Sequence, residues 1–184
     1  MLDFLFRRGN PTNRWQRIAD LSLAADLSFP ALNGITLGSP LERISFLGRN
    51  DDTQFGTLCY YDLGLGVDRA PDGTFSGFTV VLADELNDFR PFRGKLLWHE
   101  GRIRTTDLRL DRLQNVFGEW YWLDADEDEL TAFFEFPHYE MQLEMTLAGV
   151  VKRLILTSDP LLAQPEEREF YRIDKPWPPA SLRG

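Results

Sequence analysis

A chain of 184 residues with 43% hydrophobic and 27% charged side chains has the composition of an ordinary globular protein, long enough to bury one good core. Its formal net charge of -9 disfavours a nucleic-acid surface, which needs clustered Lys and Arg to neutralise phosphates. A single cysteine, Cys59, excludes an internal disulfide and a thiolate zinc cluster, and it fits a reducing compartment. The expected location is therefore the cytoplasm.

Residues 1–33 read as a helix followed by an extended segment. The apolar stretch Leu2 to Phe6 is interrupted by Asp3 and followed by Arg7 and Arg8, the reverse of a secretory signal, and it is too short to cross a bilayer. No membrane partner is expected on that ground. Thr12 or Asn13 is expected to cap a helix with Trp15, Ile18 and Leu21 on its inward face. Leu23 to Phe29 reads as extended, and Pro30 and Gly34 punctuate the entry to the next unit.

A first α+β unit is expected over residues 34–84. Ser39 or Thr36 can cap a helix with Pro40 in its first turn, Leu41, Ile44 and Leu47 on one face, and Gly48 as the stop. Period-two alternation then puts Cys59, Tyr61, Leu63, Leu65 and Val67 inward, and Tyr60, Asp62, Gly64, Gly66 and Asp68 outward, as a long strand or strand pair. Asp72-Gly73 supplies turn chemistry, and Phe78 to Leu82 returns across the sheet.

Residues 85–103 are expected to connect the units through a hairpin that turns at His99 to Gly101. The second unit, residues 104–159, repeats the grammar. Thr106 or Asp107 caps a helix bearing Leu110, Leu113 and Phe117, and Gly118 ends it. Tyr139, Met141, Leu143, Met145 and Leu147 alternate with Glu140, Gln142, Glu144 and Thr146, and after Gly149 the run Val151 to Leu156 comes back. The Pro-rich, charged tail, residues 160–184, reads as an extended arm on the same compact domain. Together these runs predict an α+β fold, mainly antiparallel, built from a tandem duplicated unit.

The runs LGSPLERISFLG and TTDLRLDRLQNVFGE, each followed by antiparallel strands, resemble the small α+β modules of the β-lactamase-inhibitor-protein type and of outer-membrane-assembly lipoproteins. The resemblance covers about Gly34 to Ser158. It implies a concave sheet surface that binds other proteins.

The residues themselves offer little catalytic chemistry. Asp124, Asp126, Asp128 and Glu135 fall at the first, third, fifth and twelfth places of a calcium loop, yet Glu129 stands where that loop needs glycine, so the run reads as a solvated connection and no metal is assigned. His99 and His138 are the two histidines, and each has a neighbouring carboxylate, Glu100 or Glu140, that could orient a general base. Side chains adjacent on a strand point to opposite faces, so this hydrolase or small-ligand reading is the alternative. No nucleotide motif is present, and no cofactor is expected.

Aromatic residues are the compositional surplus, at 13% with five tryptophans. Tyr60 and Phe133 fall in the outward register beside Asp62 and Glu135, and Trp120 and Trp122 precede the acidic run. These four rings are the expected binding residues of a noncatalytic interaction protein, an intracellular inhibitor or immunity-like factor, whose acidic rim favours a basic protein partner.

Overall fold

The computed structural model describes residues 10–83, 88–99 and 101–173. They form an α+β fold dominated by antiparallel sheet, with few short helices. Strands β1 (Ala24–Asp26), β2 (Ala31–Leu32) and β3 (Ile35–Thr36) lead into a 3-10 helix, Leu41–Leu47. Strands β4 (Asp52–Gln54), β5 (Thr57–Tyr60), β6 (Leu65–Arg69) and β7 (Phe75–Val81) follow, then the hairpin β8 (Lys95–Trp98) and β9 (Gly101–Ile103). Helix α1 (Leu110–Phe117) precedes β10 (Trp122–Ala125), β11 (Glu129–Phe136), β12 (Tyr139–Thr146) and β13 (Val151–Thr157), and a short helix α2 (Pro165–Phe170) closes the described chain.

The strands make two sheets. The large one has eight strands in the order β10-β11-β12-β13-β7-β6-β5-β4, all antiparallel. The small one has the order β3-β2-β1-β8-β9, so the β8 and β9 strands are tied to the N-terminal strands by a parallel β1-β8 pairing; residues 85–87 and 100 of the connection expected over 85–103 lie outside the described residues. One hydrophobic cluster fills the space between them. Leu27, Leu32 and Leu96 of the small-sheet side join Leu41, Ile44, Leu113 and Phe117 of the helices and Phe78, Phe134, Met141 and Leu156 of the large sheet. Tyr139 Oη donates to the Leu27 carbonyl at 2.6 Å, which gives a buried hydroxyl its partner and locks the two sheets in register.

Each four-stranded half of the large sheet is preceded by a helix that ends in glycine. Gly48 has φ 81 and ψ -167, and Gly118 has φ 87 and ψ -164, a region essentially confined to glycine. The backbone N–H of Leu41 donates to Gly73 O at 3.3 Å, and that of Leu110 donates to Gly149 O at 2.8 Å, so both helices begin against the returning turn of their own half. The bridges Pro40-Thr74 and Arg109-Val150 repeat this arrangement. At the centre Thr79 faces Ile155 across the β7-β13 pairing. The β7-β13 pairing is where the two halves join into one sheet.

Several local expectations are corrected. Residues 13–21 form turns and irregular chain with no helix, leaving Ile18 54% exposed. The Thr12 side chain, fully buried, hydrogen-bonds Asn50 Oδ1 at 2.5 Å and accepts from Asn50 N at 3.1 Å, so its hydroxyl anchors the N-terminal segment and caps nothing. Neither 41–47 nor α1 has a side-chain cap: Asp107 takes hydrogen bonds from Arg104 and Arg112 instead. Within the arm expected over residues 160–184, Pro165–Phe170 form α2 with the proline in its first turn, and residues 174–184 lie outside the described residues.

The correction with most consequence lies at Tyr60. A 3-10 turn, Tyr61–Leu63, interrupts the alternating run, and Gly64 (φ 64, ψ 38) takes the left-handed conformation that swings the chain back into β6. A Cβ at Gly64 would lie 2.4 Å from Arg90 O, so no larger residue fits. The reversal changes the register: Tyr60 joins Leu58, Leu65 and Val67 in the core, and Tyr61 sits on the turn.

Candidate functional site

The four sequence-predicted rings separate into different environments. Tyr60 is 2% exposed within the core, where burial pushes its hydroxyl pKa up, and Oη has no hydrogen-bond partner among the described residues. Trp120 is half-buried with its ring edge-on to core residue Phe134 at 6.3 Å. Phe133 lies on the opposite face of β11, as the alternation requires, but is 3% exposed because Trp122 stacks on it at 4.6 Å and 22°. Only Trp122 of the four stands at an open groove.

That face of the second half is unusual for its charge. Glu135 and Glu140 are cross-strand partners on β11 and β12, and Glu144 on β12 opposes Arg153 on β13. The Glu144-Arg153 pair closes to 3.0 Å. Residues 160–173 cross above these side chains. Arg168 of α2, 2% exposed, reaches down to Glu135 at 2.8 Å, donates through Nε to the Leu162 carbonyl, and lies 4.9 Å over the Tyr121 ring. Glu140, fully buried, accepts from Tyr121 Oη at 2.5 Å, Gln142 Nε2 at 2.8 Å and Leu161 N at 3.2 Å. Burial, followed by the Glu140 charge, raises the Tyr121 pKa, so the phenol stays protonated and donates. The paired charges hold α2 in place, since an ion this buried is tolerated only with its partner and hydrogen bonds present.

Pinning α2 creates the groove. It has a volume of about 470 Å³ between β10 and the tail, with Trp122, Leu161, Phe170 and Tyr171 as apolar walls and Glu166 and Glu167 as acidic ones. Trp122 contacts Tyr171 at 5.0 Å, and Tyr171 contacts Phe170 edge-on at 5.1 Å. The rings therefore run without interruption from buried Phe133 to Phe170, which is 80% exposed, and Leu161 beside them is 57% exposed. Sequence reasoning found Trp122 but missed Leu161, Phe170 and Arg168. The tail's isolated aromatics were visible; that Arg168 would be the buried anchor depends on long-range packing.

Of the alternative site residues, Glu100 lies outside the described residues. His99 has φ 52 at the β8-β9 turn and packs on Trp98 at 4.7 Å, while His138 is exposed at the β11-β12 turn. No carboxylate among the described residues bonds either ring. Burial raises the Cys59 thiol pKa, which makes a poor nucleophile. The acidic run is a hairpin turn: Asp126 Oδ1 accepts the N–H groups of Asp128 and Glu129 at 2.8 and 2.7 Å, while Glu129 pairs with Lys152 at 2.8 Å. Among the described residues no group of three His, Cys, Asp or Glu is arranged to hold a metal ion.

No protein-family model matches this chain, and none of the curated proteins does. Among solved structures it is similar to a DUF4309 family protein, YjgB, from Bacillus subtilis subsp. subtilis str. 168. The TM-score is 0.48 at 12% identity, over 68% of this chain and 83% of that one. A likeness of that degree assigns no function. No helix among the described residues is long and apolar enough to cross a membrane.

Proposed function

We propose that this is a noncatalytic interaction protein of the cytoplasm that grips a protein partner in the groove at Trp122. The observation that carries the reading is the continuous row of rings from Phe133 through Trp122 and Tyr171 to exposed Phe170, with Leu161 alongside. Exposed large aromatics anchored on a rigid base are what interface hot spots are made of, because the rings lose little conformational freedom on docking. Glu166 and Glu167 on the wall give a basic partner residue its complement beside an apolar anchor. The two helix-glycine-strand runs, read as copies of one unit resembling β-lactamase-inhibitor-protein modules, agree with a sheet used for protein binding.

The binding set is accordingly redrawn. Trp122 stays, Phe133 becomes the floor under it, and Leu161, Phe170 and Tyr171 join; Tyr60 and Trp120 serve packing. The test is affinity capture from the native cell extract with wild type and a Trp122→Ala, Phe170→Ala double variant. Specific loss of one captured protein, at unchanged melting temperature, supports the groove. An identical captured set removes these residues from recognition. A hydrolase at His99 or His138 gains no support from the geometry of the described residues, among which no carboxylate bonds either ring.

A further inference from the structure

We propose a second recognition surface, independent of the Trp122 groove: an arginine-lined track beside the small sheet that binds an extended acidic segment of a protein partner. Two clefts meet at Arg93 and Gly94. One, of about 330 Å³, is lined by Arg17, Arg90 and Arg93; the other, of about 280 Å³, is lined by Arg93, Arg102 and Arg104. Five arginines thus line two neighbouring clefts that share Arg93 and Gly94, on a chain whose formal charge is -9. Among the described lining residues Asp62 is the one carboxylate.

Among the described residues two of the five charges are paired internally and three are not. Arg90 pairs with Asp62 at 3.3 Å and Arg104 with Asp107 at 2.9 Å, both at the surface. Arg17, Arg93 and Arg102 have no ion pair or hydrogen bond through their side chains among the described residues. Ionic screening at physiological salt acts over about 8 Å, so the local cations, and not the formal charge of the whole chain, set what a ligand in the track meets. Guanidinium suits the purpose, since its planar fork matches a carboxylate with two parallel hydrogen bonds.

The backbone chooses the shape of the ligand. Strand β9 carries Arg102, has β8 as its one neighbour among the described residues and ends the small sheet there, with Arg102 and Ile103 on the wall of the second cleft. An open strand edge is satisfied by another extended chain. Gly94, at the shared margin of the two clefts, packs tightly: a Cβ there would fall 2.2 Å from the Phe92 ring and 2.6 Å from Leu23 O, so the backbone that carries Arg93 is fixed in place. Exposed, strung-out cations beside a strand edge fit an acidic peptide better than a compact anion, which needs donors converging on one point.

Fluorescence anisotropy with a labelled oligo-glutamate peptide and the full chain tests this. The expected result is saturable binding at low salt that weakens as salt rises, with no comparable binding of an oligo-glutamine peptide of equal length. Arg93→Gln with Arg102→Gln is expected to weaken binding about tenfold at unchanged melting temperature, whereas Arg69→Gln with Arg109→Gln, which line neither cleft, leaves it within about twofold. Equal binding by wild type and the first variant overturns the proposal. So does absent oligo-glutamate binding, equal binding of oligo-glutamine, or tight binding of inorganic tripolyphosphate without the peptide. Loss of oligo-glutamate binding in the Trp122→Ala, Phe170→Ala variant would assign the effect to the wrong surface and also overturn it, while the capture experiment on the Trp122 groove stands or falls separately.

Discussion

In the first half of the large sheet the face turned away from the core carries Gly66, Gly77 and Thr79, with Thr57 Oγ1 donating to Asp68 at 2.5 Å among them. In the second half the equivalent face carries Glu135, Glu140, Glu144 and Arg153, roofed by Arg168. The inner faces do not differ in this way: Leu58, Tyr60, Val67 and Phe78 on one side and Phe134, Met141, Leu143 and Leu154 on the other enter the same core. The inner face answers to packing, which any apolar residue of suitable volume satisfies. The outer face answers to what lies above it, and in the second half that is a helix held by charge, with an aromatic groove at its margin.

The largest effect that would break this contrast is at Arg168. Arg168→Ala leaves Glu135 buried without its cation and should cost about 3 to 5 kcal/mol if the helix stays in place. The described tail should respond first, seen as faster amide hydrogen exchange in residues 160–173 than in β4 to β7. Unchanged exchange there would mean that the ion pair is not what holds α2. A smaller effect separates the helix-ending glycines, which share one conformation in unequal surroundings. Gly118→Ala meets nothing within 4 Å and should cost only its backbone strain, about 1 to 3 kcal/mol. Gly48→Ala also drives a Cβ to 2.7 Å from that of Arg17, so urea denaturation should show the larger loss at Gly48.

Tyr60→Phe should change stability by about 1 kcal/mol or less, neutral or favourable, because it removes a buried hydroxyl that has no partner among the described residues. A clear loss in the same urea measurement would show that the hydroxyl is bonded. The smallest effects are expected at two surface turns, one in each half. Backbone N–H groups, those of Asp128 and Glu129 at Asp126 and that of Thr74 at Asp72, hold both carboxyls below their ordinary value of 3.8. A lowered folded value means that these turn bonds are present above 3.8 and lost as pH falls through the lower one. The amide shifts of Asp128, Glu129 and Thr74 should titrate together in that window, and titration above 3.8 would contradict the assigned bonds.

Much of the backbone plan was legible because it depends on local chemistry. The faces Leu41-Ile44-Leu47 and Leu110-Leu113-Phe117, the stops at Gly48 and Gly118, the Asp72-Gly73 turn and the alternation of β12 are written within a few residues each. Tyr60 was misplaced because two alternating strands with a three-residue turn between them read like one longer strand, and Gly64 marks the reversal only once its conformation is known. The groove was half legible: Trp122 stood out beside its acidic loop, whereas Phe170 and Arg168 gain meaning from Glu135, which only the fold brings near. The arginine track could not be read at all, since Arg17, Arg93 and Arg102 come from three separate segments.

The central claim is that the continuous rings at the Trp122 groove, and not exposed aromatics in general, make the partner contact. Phe29 and Phe55 are 70% and 108% exposed and stand outside the groove, so they serve as controls for Phe170 at 80%. A photocrosslinking phenylalanine analogue placed at each of the three positions in turn, followed by irradiation in the native extract, compares them directly. The account predicts one discrete adduct from position 170, lost when Trp122→Ala is added, and none of that mass from positions 29 and 55. The same adduct from all three positions, or an adduct at 170 that persists without Trp122, would contradict it.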